Sequence, residues 1–384
     1  MAGRPRYTEG ELQRYFARVC LPAERRLLSR DVQGLPAAEK LAHLALLMKH
    51  QVIRVPFENL TLHYSWHRTI DVSPRHLYRK IVGEERSHPN RKSRERAEID
   101  AEATLFWGSS GAGRGGYCME VNSFFHTVLL SLGYDVYMAG ARVYQRETGT
   151  YGGFSHCVNI VTLGRDARYV VDVGFGSNGP VRPIPLPPPA ALGLAGELLG
   201  PPEEHPHISP ASVRLLHEPI PQQTNQDCRV WIYQHRPDPA ADWVPMYCFV
   251  DIEFLLEDIR GMNFQPWRSP RSFFTRKILM TRFTTDKEAE VEAEESGDAG
   301  AGSGGGGGPG SPDESAITGA EIDGIITLFE NTLKWRRRGD LRLELKFENE
   351  QQRVDALRGY FGIELDEEDR DAIRGTVAEI SDSW

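Results

Sequence analysis

Three residue types able to support nucleophilic catalysis occur in one order along the chain: Cys118 in RGGYCMEVN, His156 in FSHCVNIV and Asp172 in VVDVGFG. A thiol becomes a useful nucleophile when its thiolate is stabilised, which a helix N-terminus and a neighbouring imidazolium both do. Cys118 falls where a helix should begin. From Tyr117 onward, Val121, Phe124, Phe125, Val128, Leu129 and Leu132 mark one apolar stripe, and Gly133 ends it. Gly115 and Gly116 permit the tight backbone approach that delivers a side chain to that terminus, and they leave room above it for a substrate. The plain alternative is that Cys118 is a small buried hydrophobe at the start of an apolar stripe. A base is needed to separate the two readings.

A hairpin supplies it. If Gly164, Arg165 and Asp166 form the turn, the pairing midpoint falls at Arg165, which sets His156 opposite Gly174 and diagonal to Asp172. Paired and diagonal-by-two positions share a face of the sheet, so His156 and Asp172 can meet. A carboxylate beside an imidazole fixes its tautomer and stabilises the imidazolium, the third role in a nucleophile triad. Cys157, one residue on, points to the opposite face and reads as core. His126, two turns beyond Cys118, reads as a satisfied helix histidine. Zinc binding by Cys118, His126, His156 and Cys157 is rejected, because adjacent strand residues diverge. The five cysteines, odd in number and irregularly spaced, fit neither a disulfide framework nor a CxxC pair, so reduced thiols are expected.

These residues need a frame. Glu9 to Lys80 reads as mostly helical, with helical apolar spacing in LAHLALLMKHQVIRVPFENL and RHLYRKIV. Between Ile81 and Arg114 the chain turns polar, in GEERSHPNRKSRERAEIDAE, a solvated insertion. Strand patterns follow in DVYMAGARVY, FSHCVNIVTL and RYVVDVGF, and again in SVRLLHEP, CRVWIYQHR and WVPMYCFV. Between the two groups, VRPIPLPPPAALGLAGELLGPPEEHP is a Pro-rich connector expected to hold no ladder and to wrap the surface. DIEFLLEDIRGMNFQP reads as a helix, RSFFTRKILMTRF as a strand, and ITLFENTLKWRRRGDLRLELKF as a strand pair. The acidic and then Gly/Ser-rich run from Asp286 to about Ser315 is expected to be disordered, and the tail from Asn349 to Trp384 helical.

The chain has 384 residues, 40% of them hydrophobic, enough for a large core. A net charge of −9 gives no support for a nucleic-acid footprint, which requires a clustered basic surface. No apolar run opens the chain as a signal peptide would, and no stretch of about 18 apolar residues could span a bilayer. A cytoplasmic protein with neither nucleic acid nor membrane as partner is expected.

RGGYCMEVN, VPFENL, FSHCVNIV, VVDVGFG and SPRSFF, in this order and spacing, resemble the arylamine N-acetyltransferase family. The resemblance covers most of the chain outside the polar insertion, the Pro-rich connector and the Gly-rich run near position 300. It implies an α+β fold: an N-terminal helical bundle (1–112, with the polar insertion at about 83–111), a central β-barrel with the catalytic loop and helix (113–245), and a C-terminal α/β lid (246–384). A papain-like Cys118-His156-Asp172 core would span the first two. It also implies ping-pong transfer of an acetyl or related short acyl group from acyl-coenzyme A through a Cys118 thioester to an arylamine or arylhydrazine, as in xenobiotic detoxification, with no metal. By position, Phe175 and Phe57 would contact the acceptor and Ser269 and Ser272 the coenzyme. Glu58 and Asn59 would support the site from behind, and Arg114 and Glu120 would brace the loop, unless these two form only a surface salt bridge. The insertions leave acetyl, propionyl and malonyl donors all open. Two other readings compete: a transglutaminase-like thiol hydrolase, which shares the Cys, His, Asp order, and a catalytically silent binding protein.

Overall fold

The computed structural model describes residues 4–83, 113–288 and 314–380. The polar insertion expected from about 83 and the glycine run itself lie outside the described residues.

The N-terminal part is helical: α1 (Glu9–Arg18), α2 (Ser29–Gly34), α3 (Ala37–Arg54) and α4 (Pro74–Ile81). A reciprocal cap starts α1, with the Glu11 N–H on Thr8 Oγ1 and the Thr8 N–H on Glu11 Oε2. Helix α5 (Cys118–Ser131) lies among them, and every one of its residues is buried. Gly133, at φ +82°, ends it in the left-handed conformation that glycine tolerates. One apolar core joins Phe16, Leu47, Leu77 and Phe124 of these helices to Val136 and Val161 of the neighbouring sheet.

That sheet has eight antiparallel strands in the order β5-β4-β3-β2-β9-β8-β7-β6. They are β2 (Asp135–Gln145), β3 (Thr150–Leu163), β4 (Ala167–Val171), β5 (Ile184–Leu186), β6 (Glu204–Pro206), β7 (Ser212–Glu218), β8 (Val230–Arg236) and β9 (Val244–Phe254). Ile184 and Leu186 near one edge share a core with Val213 and Leu215 near the other, so the sheet curls into a barrel-like form.

A second sheet of five strands runs β1-β10-β11-β12-β13. It joins β1 (Phe57–Glu58) to β10 (Leu279–Thr285), β11 (Ile322–Phe329), β12 (Thr332–Arg337) and β13 (Asp340–Lys346). Helices α6 (Leu256–Arg268), α7 (Glu314–Gly319), α8 (Glu350–Phe361) and α9 (Glu367–Asp371) complete the described chain. Arranged this way, the helices and two sheets fit an α+β fold.

Several expectations are corrected. The Pro-rich connector does hold a ladder, because β5 and β6 are edge strands, and Pro185 sits opposite Tyr169 where no further strand needs its missing N–H. DIEF extends β9, and the helix begins only at Leu256. In RSFFTRKILMTRF the strand starts at Leu279, after a 3-10 turn at Phe273–Thr275. The expected strand pair after position 322 is a three-strand meander. The start of the acidic run is ordered, since Glu288 is buried and accepts from both terminal nitrogens of Arg282, at 3.1 and 2.8 Å. Ser315, at its other end, lies in α7. Among the described residues of the tail, helix is confined to α8 and α9, and turns follow to Ile380.

Candidate active site

Cys118 is the first residue of α5. The loop that presents it is clamped to β1. Gly116 forms a parallel bridge with Phe57 through the residues on either side of it: the Gly116 N–H donates to the Pro56 carbonyl at 3.3 Å and the Glu58 N–H to the Gly116 carbonyl at 3.2 Å. A Cβ on Gly115 would lie 1.7 Å from the Pro56 carbonyl oxygen, and one on Gly116 would lie 2.6 Å from Glu120 Cβ. The two glycines are therefore required by close packing beneath the loop, not by an open space above it.

Two buried carboxylates hold this loop. Glu58 accepts the Gly115 N–H at 3.1 Å and Glu120 accepts the Tyr117 N–H at 3.2 Å. Lys80, at the end of α4, bridges them, with Nζ 2.6 Å from Glu120 Oε1 and 3.4 Å from Glu58 Oε1. Arg114 adds contacts to Glu58 at 3.8 Å and Asp369 at 3.5 Å. Its side chain is 15% exposed, so the surface-bridge reading gives way to an internal brace. Burial pushes both carboxyls up. Lys80 and Arg114 outweigh that at Glu58 and hold it below the usual range, whereas Glu120 stays raised.

His156, on β3, is 1% exposed, and its Nε2 lies 2.9 Å from Asp172 Oδ2. The hairpin has the anticipated midpoint, since Leu163 pairs with Ala167 and Asn159 with Val171. The ladder stops there, and Asp172 is fixed instead by side-chain and turn bonds. Its Oδ1 accepts from Asn122 Nδ2 and from the Gly174 N–H, each at 2.9 Å. Burial disfavours charge on both partners. At His156 it is outweighed by the Asp172 charge and hydrogen bond, together with the bond from Cys118, which carry the imidazole up to about 10. The same pairing, with Asn122 and Gly174, holds Asp172 below the usual carboxylate value. Cys118 Sγ also approaches the Ser155 carbonyl at 3.6 Å. Because Asp172 occupies Nε2, Nδ1 is the ring nitrogen left for the thiol.

Asn122 was not identified from the sequence. One turn after Cys118, its Nδ2 reaches Asp172 and the Cys157 carbonyl (2.8 Å), and its Oδ1 accepts the Val173 N–H at 2.9 Å. An amide at i+4 from a candidate nucleophile, inside an apolar helix, is the sequence signal. Lys80 was also missed; its signal is a cation on the last turn, next to the buried Ile81 of an apolar-faced helix. His126 binds Asn159 Oδ1 at 3.1 Å, and burial pushes it down to about 4.

Phe57 and Phe175 line one small cavity together with Val52, Asp172, Gly176 and Phe283. Phe175 packs edge-on to His156, ring centroids 5.3 Å apart. Asn59 ties this region to the SPRSFF segment, donating to the Phe274 and Lys277 carbonyls at 2.9 and 2.7 Å. Within that segment Ser272 is buried, and its hydroxyl is committed to the turn, donating to the Pro266 carbonyl and accepting the Phe274 N–H. Ser269 is partly exposed at the end of α6. Among the described residues no three His, Cys, Asp or Glu side chains converge as a metal site would require, and no helix is long and apolar enough to cross a membrane.

Comparison with known proteins places the chain among acyltransferases of one family. A family model for N-acetyltransferase matches residues 40–87 and 92–191. N-malonyltransferase FDB2 of Gibberella moniliformis is 30% identical over 390 residues, covering 97% of this chain and 93% of that one. Among solved structures, the arylamine N-acetyltransferase of Mycobacterium abscessus superposes with a TM-score of 0.65 at 18% identity, over 98% of this chain and all of that one. The Mycobacterium marinum enzyme in complex with CoA gives 0.58 at 21% identity, over 95% of this chain and 99% of that one. At these identities the two structures bear on the fold.

Proposed function

The chain belongs to the arylamine N-acetyltransferase family, and on that premise we propose that it transfers a short acyl group from acyl-coenzyme A to an arylamine or arylhydrazine nitrogen through a thioester on Cys118. The observation that carries the reading is the 2.9 Å contact between His156 and Asp172, beside a cysteine that opens a helix. Asp172 orients the ring and stabilises its cation, and Nδ1 takes the Cys118 proton. The thiolate, favoured by that imidazolium and by the helix N-terminus, attacks the donor thioester carbonyl. Coenzyme A leaves as its thiol after taking the proton back. The acceptor nitrogen then attacks the Cys118 thioester, passing a proton to His156, and the amide departs as Cys118 is regenerated.

The Gly115, Gly116 and Tyr117 N–H groups are already engaged by Glu58, Pro56 and Glu120. The Cys118 N–H is therefore the donor this loop offers to the tetrahedral oxyanion. Phe57 and Phe175 contact the acceptor ring, and Ser269 is the coenzyme contact of the pair Ser269 and Ser272. Similarity over 97% of the chain to an N-malonyltransferase favours malonyl-coenzyme A as a donor alongside acetyl-coenzyme A.

Intact mass after brief exposure to acetyl-, propionyl- or malonyl-coenzyme A tests the reading. One acyl mass is expected on the wild type and none on Cys118→Ala. Adding an anisidine should discharge the adduct as the amide. Discharge to water at the same rate without amine would favour a thiol hydrolase, and no adduct with any donor would sink the proposal.

A further inference from the structure

We propose that Cys118 and Cys157 constitute a peroxide-sensitive modification site, in which Cys157 resolves an oxidised Cys118 as a reducible disulfide. The inference rests on Cys118 being the acyl-carrying thiol. Cys157 lies on β3 next to His156, but its side chain turns to the other face of the strand, toward the start of α5. Its Sγ lies 3.7 Å from the Cys118 carbonyl oxygen, and both cysteines belong to one buried cluster with Tyr117, Met119 and Met138. Asn122 fastens the two elements at this point through its 2.8 Å bond to the Cys157 carbonyl. The Cys157 sulfur thus approaches the nucleophile's own backbone, and rotation of Cys118 about χ1 is the motion that carries its sulfur toward Cys157; the bond also requires a Cα separation of roughly 4.4–6.8 Å. The other free cysteines sit elsewhere: Cys248 packs in a separate cluster, Cys20 follows α1, and Cys228 is exposed before β8.

The chemistry balances with one hydroperoxide. The Cys118 thiolate attacks a peroxide oxygen; an S–O bond forms, the O–O bond breaks and hydroxide leaves, giving a sulfenic acid. Cys157 sulfur then attacks Cys118 sulfur. The S–S bond forms, the S–O bond breaks, and the Cys157 proton leaves with the hydroxyl as water. The two thiols supply the two electrons that the peroxide takes, and an added thiol reopens the bond by exchange. Burial first, then the nearby Cys118 and Asp172 charges, push the Cys157 thiol well above its usual value.

The test treats the full chain with a small excess of hydrogen peroxide. It reads intact mass, a non-reduced peptide map, and acyl transfer before and after dithiothreitol, for the wild type, Cys157→Ser and Cys157→Ala. The wild type should lose two hydrogen masses, yield one cross-linked peptide joining Cys118 to Cys157, and regain its starting activity on reduction. Both variants, each normalised to its own untreated activity, should instead add two or three oxygens at Cys118 and regain none. Oxygen addition without a cross-link in the wild type, or equal recovery in the variants, would overturn the proposal. A cross-link in a protein that forms no acyl adduct would leave this site standing and remove the transferase reading; an acyl adduct without a cross-link would do the reverse.

Discussion

His156 and Asp172 illustrate what a single pair of residues contributes and how pH reveals it. In the fold His156 is raised to about 10 from its ordinary 6.5, so the stability it contributes is complete below about 6.5 and is lost as pH climbs through 10. Asp172 is held low, so its share is present above the ordinary 3.8 and is lost as pH falls through its depressed value. The pair therefore contributes most between about pH 4 and 6.5. Urea denaturation of wild type and Asp172→Asn should show the widest gap in midpoint near pH 5.5 and a steadily narrower one toward pH 10. A gap that widens with rising pH would contradict this assignment of charge. The meeting of these two residues was legible because a short turn fixes the parity of a hairpin. Asn122 was not, since its three bonds go to β3 and to the Asp172 turn, 35 to 51 positions away, and no periodicity within one helix reports such partners.

At the level of elements, α4, β1 and the start of α5 are joined by one buried cation between two buried carboxylates. The Lys80 side chain is 8% exposed, and those of Glu58 and Glu120 are fully enclosed. Removing one partner from such a group leaves uncompensated charge and costs about 3–5 kcal/mol. Lys80→Met should lose about that much in urea denaturation, with a slower acylation rate because the Gly115 and Tyr117 N–H groups lose their anchored acceptors. Lys80→Arg, which keeps the charge, should recover part of both. A loss below about 1 kcal/mol would mean that the cluster behaves like an exposed pair. The helix and most of the strands were readable because apolar residues recur with the period of each element. The departures have specific causes. Pro185 looked like a ladder breaker, yet it occupies an edge where its missing N–H has no partner to disappoint. DIEF alternates as a strand should, but it runs directly into α6 without a turn residue to separate them.

Across the whole molecule, β1 is where the parts are fastened. It has two residues, too few for any periodic signal, yet Phe57 pairs with Thr281 of β10 on one side and bridges Gly116 of the nucleophile loop on the other. Leu60 and Tyr64, just beyond it, enter the apolar core of the second sheet with Met280, Trp335 and Leu357. Tyr64 donates to Glu350 Oε2 at 2.7 Å and accepts from Arg353 Nε at 2.8 Å, both in α8. Phe283 of β10 returns the connection by packing into the helical core. Cooperative units follow shared buried contacts, and here the second sheet shares its core with the segment that positions Cys118. Hydrogen exchange in increasing urea should therefore show peptides from β10–β13 and from α5 and β3 losing protection at one common midpoint. If β11–β13 opened at a lower urea concentration while α5 and β3 stayed protected, the second sheet would be a separable cover, and the nucleophile loop would owe its position to its backbone bonds with β1 and to the Lys80, Glu58, Glu120 and Arg114 contacts.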